Sequence, residues 1–405
     1  MPKNVLIASF SIRDKTGRTP INGMIGPLLS FFRPKYHQVD LIDGPHPGSS
    51  TVITHFENYT KHKLTSAKSS LISFLLFPIL ILANRDSTQF IFKIRDFLTV
   101  FEILLRNRRR YDLFIGLESV YTIAGIIGKY LGFISRIVYY VSDYSPNRYP
   151  NFLVNKFYLW LDRYCCSHAD FIWDVSPAMM PARVKAGLKP QQSAPLILVP
   201  NALFPSQIAP ADPNSVIPYS LVYAGTLGPE NGVDIAIAAV QKIRQKYPAA
   251  SLHIYGSGHE FEPALKLLIN KSDLQKQVIF HGFIGKLDKL TKIISQYALG
   301  IAPYRYFPGS PRLYADATKL RLYLGAGLPV VTTQVPPLGR ELASRGAAVI
   351  SQDNDVDLAK TVMKIFFDRR RYTKLRLASI RYAKTNTWEN TYRSALAQMK
   401  LSAKS

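Results

Sequence analysis

Cysteine is almost missing from this chain: Cys165 and Cys166 are its only two. Neighbouring residues in a helix point their side chains apart and pair badly as a disulfide, so both are read as packing residues. No disulfide framework argues for secretion, and the opening residues MPKNVLIASF run into a strand-like segment without a signal-peptide pattern. A cytoplasmic location is the expectation. Long apolar runs are absent too. The most apolar stretch, residues 71–83 (LISFLLFPILILA), is interrupted by Pro78 and falls short of the roughly 20 residues that span a bilayer as a helix. The eight histidines show neither H-x-x-x-H nor paired acidic spacing, so no metal and no cofactor is expected. A dinucleotide fingerprint is also lacking: the first predicted strand, residues 5–10, is followed by SIRDKTGR where G-x-G-x-x-G would be needed. A nicotinamide or flavin oxidoreductase is thereby disfavoured. Acidic residues are scarce, 27 Asp and Glu against 51 Lys and Arg, a net charge of +24. Such a surface attracts polyanions, whether anionic lipid or a phosphorylated substrate. No nucleic-acid module or interleaving of basic and aromatic residues appears, so nucleic acid is not an expected partner.

A length of 405 residues suits two domains of about 200 residues each. Short β-branched runs alternate with apolar helix patterns throughout, the rhythm of doubly wound α/β domains with parallel sheets. Residues 1–202 read as a first Rossmann-like domain. Residues 203–218, with Pro205, Pro210, Pro213 and Pro218, read as a linker; residues 219–373 form a second domain; and residues 374–405 a terminal basic helix. The most informative stretch is residues 316–333, DATKLRLYLGAGLPVVTT. Asp316 is a candidate N-cap, Gly327 supplies the exit from the helix, and Val330 to Thr332 form a strand buried on both faces.

This stretch, with Ile301-Ala302-Pro303-Tyr304 upstream, resembles the donor-site signature of the group 1/family 4 glycosyltransferases, commonly K-x-x-E-Y-L-A-x-G-x-P-V-V. Lys319, Tyr323, Leu324, Gly327, Pro329, Val330 and Val331 carry the match, while Leu322 stands where the family has its acid. The resemblance implies the GT-B fold, two Rossmann-like domains facing across a cleft, with the helix over residues 374–405 crossing back to the first. It also implies a retaining, metal-independent transferase using a nucleotide-diphosphate sugar and a lipid-linked or polysaccharide acceptor. Gly225 and Thr226 fall in the loop that usually reads G-R-L-x-x-x-K-G, so Thr226 and Asn231 replace the two cations that grip the donor diphosphate. Gly256 and Gly258 match the G-x-G turn that admits a base or ribose, Phe283 a base-contact loop, and Tyr304 the residue before a donor loop over 305–313. Lys319 is the strongest phosphate candidate, with Leu320 beside it, and Asp316 and Thr318 are candidates for holding sugar and ribose hydroxyls.

Gly17 and Arg18, in the loop after the first strand, are candidates for the site by the same logic, Gly17 near the donor and Arg18 near the acceptor; a plain turn at Gly17 is the equal alternative. YVSDYSPNRYPNFLVNKFYLWLDR resembles a subset of these transferases. Asp143 is its candidate catalytic residue, positioning the acceptor or taking its proton, and Arg148 a partner for acceptor phosphate or carboxylate, with a turn or helix-capping Asx the competing reading of Asp143. Residues 71–83 and the arginines at 106 and 108–110 together favour a peripheral, anionic membrane surface over a buried core helix. A non-catalytic GT-B protein that binds a glycan or lipid, or serves as a subunit of a larger transferase, is the alternative.

Overall fold

The computed structural model describes residues 4–14, 17–18, 24–85, 89–258 and 260–402. Its contacts divide the chain into two compact units, residues 1–199 with 392–405, and residues 200–391.

The first unit opens with β1 (Asn4–Ser11), whose interior residues are buried as expected of a central strand. A two-residue ribbon, β2 (Arg13–Asp14) against β3 (Gly17–Arg18), follows it. Then come α1 (Ile25–Phe32), β4 (Gln38–Pro45), β5 (His55–Thr60), β6 (Lys63–Ser69), α2 (Leu71–Leu75), α3 (Phe77–Arg85) and α4 (Gln89–Asn107). The second half adds β7 (Leu113–Leu117), α5 (Glu118–Tyr130), β8 (Ile137–Val141), α6 (Phe152–His168), β9 (Phe171–Asp174), α7 (Met179–Lys185) and β10 (Leu196–Leu198). The eight strands line up as β10-β9-β8-β7-β1-β4-β5-β6. All neighbours from β10 to β4 pair in parallel, whereas β5 and β6 form an antiparallel hairpin on the β4 edge. That hairpin goes unforeseen in the sequence because its two-residue turn, Lys61-His62, holds both residues at positive φ (45° and 72°) without the Asn-Gly pair that usually marks such a turn. The Arg33 guanidinium donates to the His62 carbonyl at 3.0 Å and helps fix it.

The second unit runs β11 (Ser220–Ala224), α8 (Val233–Ile243), β12 (Ser251–Tyr255), α9 (Glu262–Lys271), β13 (Val278–Gly282), α10 (Leu287–Ile294) and β14 (Leu299–Ala302). It continues with α11 (Thr318–Gly325), β15 (Val330–Thr332), α12 (Pro337–Ser344), β16 (Ala348–Ile350), α13 (Asp355–Phe367), α14 (Arg369–Thr385) and the start of α15 (Trp388–Ser402). Its six strands are all parallel in the order β13-β12-β11-β14-β15-β16. Both sheets are doubly wound, and strand order reverses between β1 and β7 in one and between β11 and β14 in the other. Open α/β sheets place ligands beyond the carboxyl ends of their strands at such a reversal.

Two expectations about chain organisation differ from the structure, and a third gains detail. Residues 203–218 are no free linker but part of the second unit: Ala209 N–H donates to the Gly325 carbonyl at 2.9 Å, and the buried Arg376 guanidinium donates to the carbonyls of Ala211 and Gly327. The basic terminal run is two helices with a break at Asn386-Thr387, and only from Tyr392 onward does it belong to the first unit. There the Tyr392 ring packs against Phe31 and Trp173 at 5.4 and 6.0 Å. At the break, Leu203 N–H donates to the Asn386 carbonyl and Trp388 N–H to the Leu203 carbonyl, at 3.3 and 3.1 Å. Finally, the apolar stretch over residues 71–83 is split into α2 and α3 at Leu76. Leu71, Phe74, Leu75, Ile79 and Leu82 are exposed, while Leu80 alone of its larger residues sinks fully into a small core. No described helix is long and apolar enough to cross a membrane. Cys165 and Cys166 are both buried and free.

Candidate functional site

The strand reversal of the second unit is built around a tyrosine. Beyond Val222 and Gly300 the ladder between β11 and β14 stops, and the Tyr323 ring from α11 fills the gap. Its hydroxyl accepts from Ala224 N–H at 2.8 Å and donates to the Ile301 carbonyl at 3.0 Å. Backbone groups that separating strands would otherwise leave unpaired are thus satisfied by one side chain. Gly300 makes room for it: a Cβ there would lie 2.5 Å from the ring.

Four residues N-terminal on the same helix, Lys319 reaches beneath Gly225, the first residue after β11. Its Nζ donates to the Tyr223 hydroxyl at 2.7 Å and sits 3.9 and 4.9 Å from the ring centroids of Tyr223 and Tyr304. The Tyr223 hydroxyl passes the chain on, donating to the Thr226 carbonyl at 2.6 Å. Lys319 is buried. Burial first, and the Arg312 guanidinium second, depress its pKa well below the ordinary 10.5, with Glu230 opposing. The glycines of the neighbouring turns are needed for this approach. Gly225 has φ +145° and a Cβ there would lie 2.6 Å from Lys319 Cε; Gly256 has φ +158° and its Cβ would fall 1.8 Å from the Gly225 carbonyl oxygen. Gly225 N–H donates to the Tyr255 carbonyl and Leu227 N–H to the Ser257 carbonyl, so the turns after β11 and β12 lie side by side. Gly258 packs equally close, a Cβ there falling 2.4 Å from the Leu227 carbonyl oxygen.

The loop over residues 305–313 is tied down. Arg305 N–H donates to the Glu230 carbonyl at 3.0 Å, the Arg305 guanidinium pairs with the Asp234 carboxylate, and Tyr306 N–H donates to Asp353 Oδ2 at 3.1 Å. This brings Arg312 within 3.7 Å of the Glu230 carboxylate and into the field of Lys319, Tyr223 and Tyr304. No sequence pattern marks Arg312, because its place depends on the fold of a Gly- and Pro-rich loop.

Other expected donor residues stand differently. Asp316 does not cap α11: Ala317 holds the N-cap position without a side-chain bond, and the Asp316 carboxylate turns inward. It accepts from Arg321 Nε and Nη2 at 2.9 and 3.1 Å and from Asn201 N–H at 2.7 Å. Burial raises its pKa, with Arg321 and the Asn201 N–H pulling the other way. A buried arginine four residues inside the helix outcompetes the cap because an uncompensated interior guanidinium costs far more than a lost cap. Leu320 and Leu322 are core residues. Thr318 and Thr226 are exposed, and Asn231 is buried with its amide 3.5 Å from Glu230 Oε1. Phe283 follows the edge strand β13 and keeps 66% of its surface in solvent. Thus Gly225, Gly256, Gly258, Tyr304 and Lys319 come together, and Phe283, Leu320 and the Asp316 carboxylate are not brought into that cluster. Among the described residues no group of three or more His, Cys, Asp or Glu could hold a metal ion.

In the first unit, Gly17 and Arg18 form β3, and the rest of their loop lies outside the described residues. Asp143 follows β8. Its carboxylate accepts from Arg148 Nη1 at 3.3 Å and its carbonyl from the same atom at 3.1 Å. Arg148 also faces Glu118, 3.6 Å away, a residue the sequence reading passes over. Glu118 directly follows β7 at the strand reversal and has φ +65°, a left-handed backbone rare outside glycine, asparagine and aspartate.

Comparison with known proteins gives these arrangements a setting. Residues 218–368 match the family model described as glycosyl transferases group 1. Glycogen synthases of two Mycobacterium tuberculosis strains, CDC 1551/Oshkosh and H37Rv, are 30% identical over 192 residues, 46% of this chain and 43% of theirs. The chain therefore spans less than half the length of these relatives. Among solved structures, Anabaena Alr3699/HepE in complex with UDP superposes over 98% of this chain and 100% of its own with a TM-score of 0.66 at 14% identity. Sucrose-phosphate synthase from Thermosynechococcus elongatus does so over 100% of both chains with a TM-score of 0.67 at 14% identity. The fold is GT-B, with two Rossmann-like α/β domains.

Proposed function

We propose that the protein, whose residues 218–368 match the group 1 glycosyl transferase model, moves a sugar, with retention, from a nucleotide-diphosphate donor to a lipid-linked or polysaccharide acceptor. The observation that carries this reading is Lys319, a buried lysine under a glycine turn at the strand reversal, bonded to a neutral tyrosine and not to any carboxylate. A departing diphosphate develops negative charge, and a desolvated ammonium beside backbone amides stabilises it more strongly than the same group in water. Arg312 takes the part of the cations missing at Thr226 and Asn231, once it exchanges Glu230 for phosphate. The chain's net charge of +24 draws such a donor in.

On the acceptor side, the exposed leucines of α2 and α3 suit a lipid-linked substrate presented at an anionic membrane surface. Part of the basic run is already engaged, however: Arg106 lies 3.3 Å from Glu102 and Arg109 3.8 Å from Asp40. Apolar insertion therefore carries more of that docking than charge does.

The alternative, a GT-B protein that binds a glycan or lipid without catalysis, draws on Leu322, a core residue where the family has an acid. Calorimetric titration with UDP- and GDP-sugars, followed by an assay for donor hydrolysis, separates the two. The transferase binds and slowly hydrolyses one of them, and Lys319→Ala weakens that binding by about 1.5–3 kcal/mol, roughly 10- to 100-fold. Binding of no nucleotide sugar sinks the enzyme reading.

A further inference from the structure

The buried carboxylates of the first unit are almost all consumed by short hydrogen bonds. Asp43 accepts from Ser11 Oγ at 2.6 Å, Asp96 from Arg95 Nε at 3.0 Å, Asp162 from Tyr139 and Arg183 at 2.8 and 2.9 Å, and Glu102 from Leu71 N–H at 2.7 Å. Glu118 is different. Its side chain is only 14% exposed, yet among the described residues its carboxylate takes no hydrogen bond: Arg148 Nη2 stands 3.6 Å from one oxygen and Lys93 Nζ 3.8 Å from the other. Burial alone would raise its pKa, but Arg148, Lys93 and His46 together outweigh burial and hold it below the ordinary carboxylate value. An ionised, enclosed carboxylate thus keeps its acceptor capacity unspent, at the carboxyl end of a central strand where the sheet reverses.

We propose that Glu118 is an acceptor-binding residue whose carboxylate takes hydrogen bonds from the hydroxyl groups of an uncharged sugar ring. The charges around it decide the ligand class. Among the described residues, Glu118 and Asp143 on one side and Arg148 and Lys93 on the other balance; His46 faces Glu118 as well. A phosphate at Glu118 would meet a carboxylate, and a cation would meet Arg148 and Lys93. A neutral hydroxyl meets an acceptor on one oxygen and donors beside it, the mixed set that a polyol satisfies. The backbone supports the assignment: Glu118 keeps φ +65° at a position where glycine would be unstrained, so the side chain is retained against a conformational cost. This inference rests on the transferase reading above.

The test uses the intact protein, the nucleotide sugar chosen by titration, and two acceptor panels, neutral octyl glycosides and their phosphorylated counterparts. Transfer to a neutral glycoside is expected. Glu118→Gln lowers kcat/KM for it about a hundredfold, mainly through the acceptor KM, while donor affinity measured by calorimetry stays within about twofold. Glu118→Gly loses as much transfer, yet its thermal midpoint does not fall, since the backbone strain is released. A purely structural Glu118 would do the reverse, lowering the midpoint and sparing the rate. Transfer only to phosphorylated glycosides, donor binding without transfer to any neutral one, or variants at wild-type rates would each overturn the assignment. Failure of every nucleotide sugar to bind would instead remove the transferase reading, and this inference with it.

Discussion

A lysine whose pKa is pushed down by burial is a group waiting for a counter-charge. In the free protein Lys319 has the Tyr223 hydroxyl as its hydrogen-bond partner, and Arg312 repels its charged form. A diphosphate arriving beside it favours the ammonium, so the pKa in the complex lies above that in the free protein. Binding then takes up a proton, and donor affinity falls as pH rises through the bound-state pKa, with a limiting slope of about one decade per pH unit. Calorimetry in buffers of different ionisation enthalpy should show this uptake for the wild type and none for Lys319→Met; equal uptake in both would place the titrating group elsewhere. Of these residues, Lys319 was legible because the spacing to Tyr323, Gly327 and Pro329 places it. Glu118 and Arg312 were not, since one is distinguished by a backbone angle and the other by a loop conformation, and neither leaves a trace in residue type or spacing.

At the scale of elements, periodicity located most strands and helices, and the misses share a cause. The β5–β6 hairpin lacks a glycine turn and the Asp316 cap yields to an interior arginine, while the residue 71–83 run, read as a surface segment in preference to a core helix, is divided into two short, largely exposed helices. In each case a tertiary partner, whether Arg33, Arg321 or the Glu102 carboxylate that accepts from the amides of Leu71 and Ile72, decides what local sequence leaves open. The last of these also bears on membranes. With its first amides held by Glu102 of α4, α2 presents Leu75 at 81% exposure, and α3 presents Leu82 at 60%. Burying two leucines in lipid contributes about 1.5–3 kcal/mol each at full burial. Flotation with anionic liposomes should therefore recover the wild type even at raised salt and lose most of a Leu75→Glu/Leu82→Glu variant. Unchanged flotation of that variant would move the contact to another face, and the exposed Phe152, Leu153, Phe157 and Trp160 of α6 are the next place to look.

Across the whole molecule, the doubly wound plan of both units could be foreseen because parallel strands buried on two faces read as unbroken apolar runs, β7, β8 and β11 among them, whereas β4, with Gln38, Asp40 and Asp43 in its buried run, does not read that way. Where the units divide was less visible, since Pro-rich residues 203–218 look like a tether but dock on α11 and α14. The chain enters the second unit at Pro200 and leaves it after Thr391, and Leu203 is hydrogen-bonded to both Asn386 and Trp388. Residues 200–391 are therefore an insert with its own clasp, both ends fastened to each other. Residues 200–391 produced alone should fold cooperatively and retain the nucleotide affinity of the full chain to within about tenfold, as followed by thermal melting and calorimetry. A module closed in this way can be exchanged between relatives as one piece, and under the proposed transferase function donor choice would then evolve independently of acceptor choice.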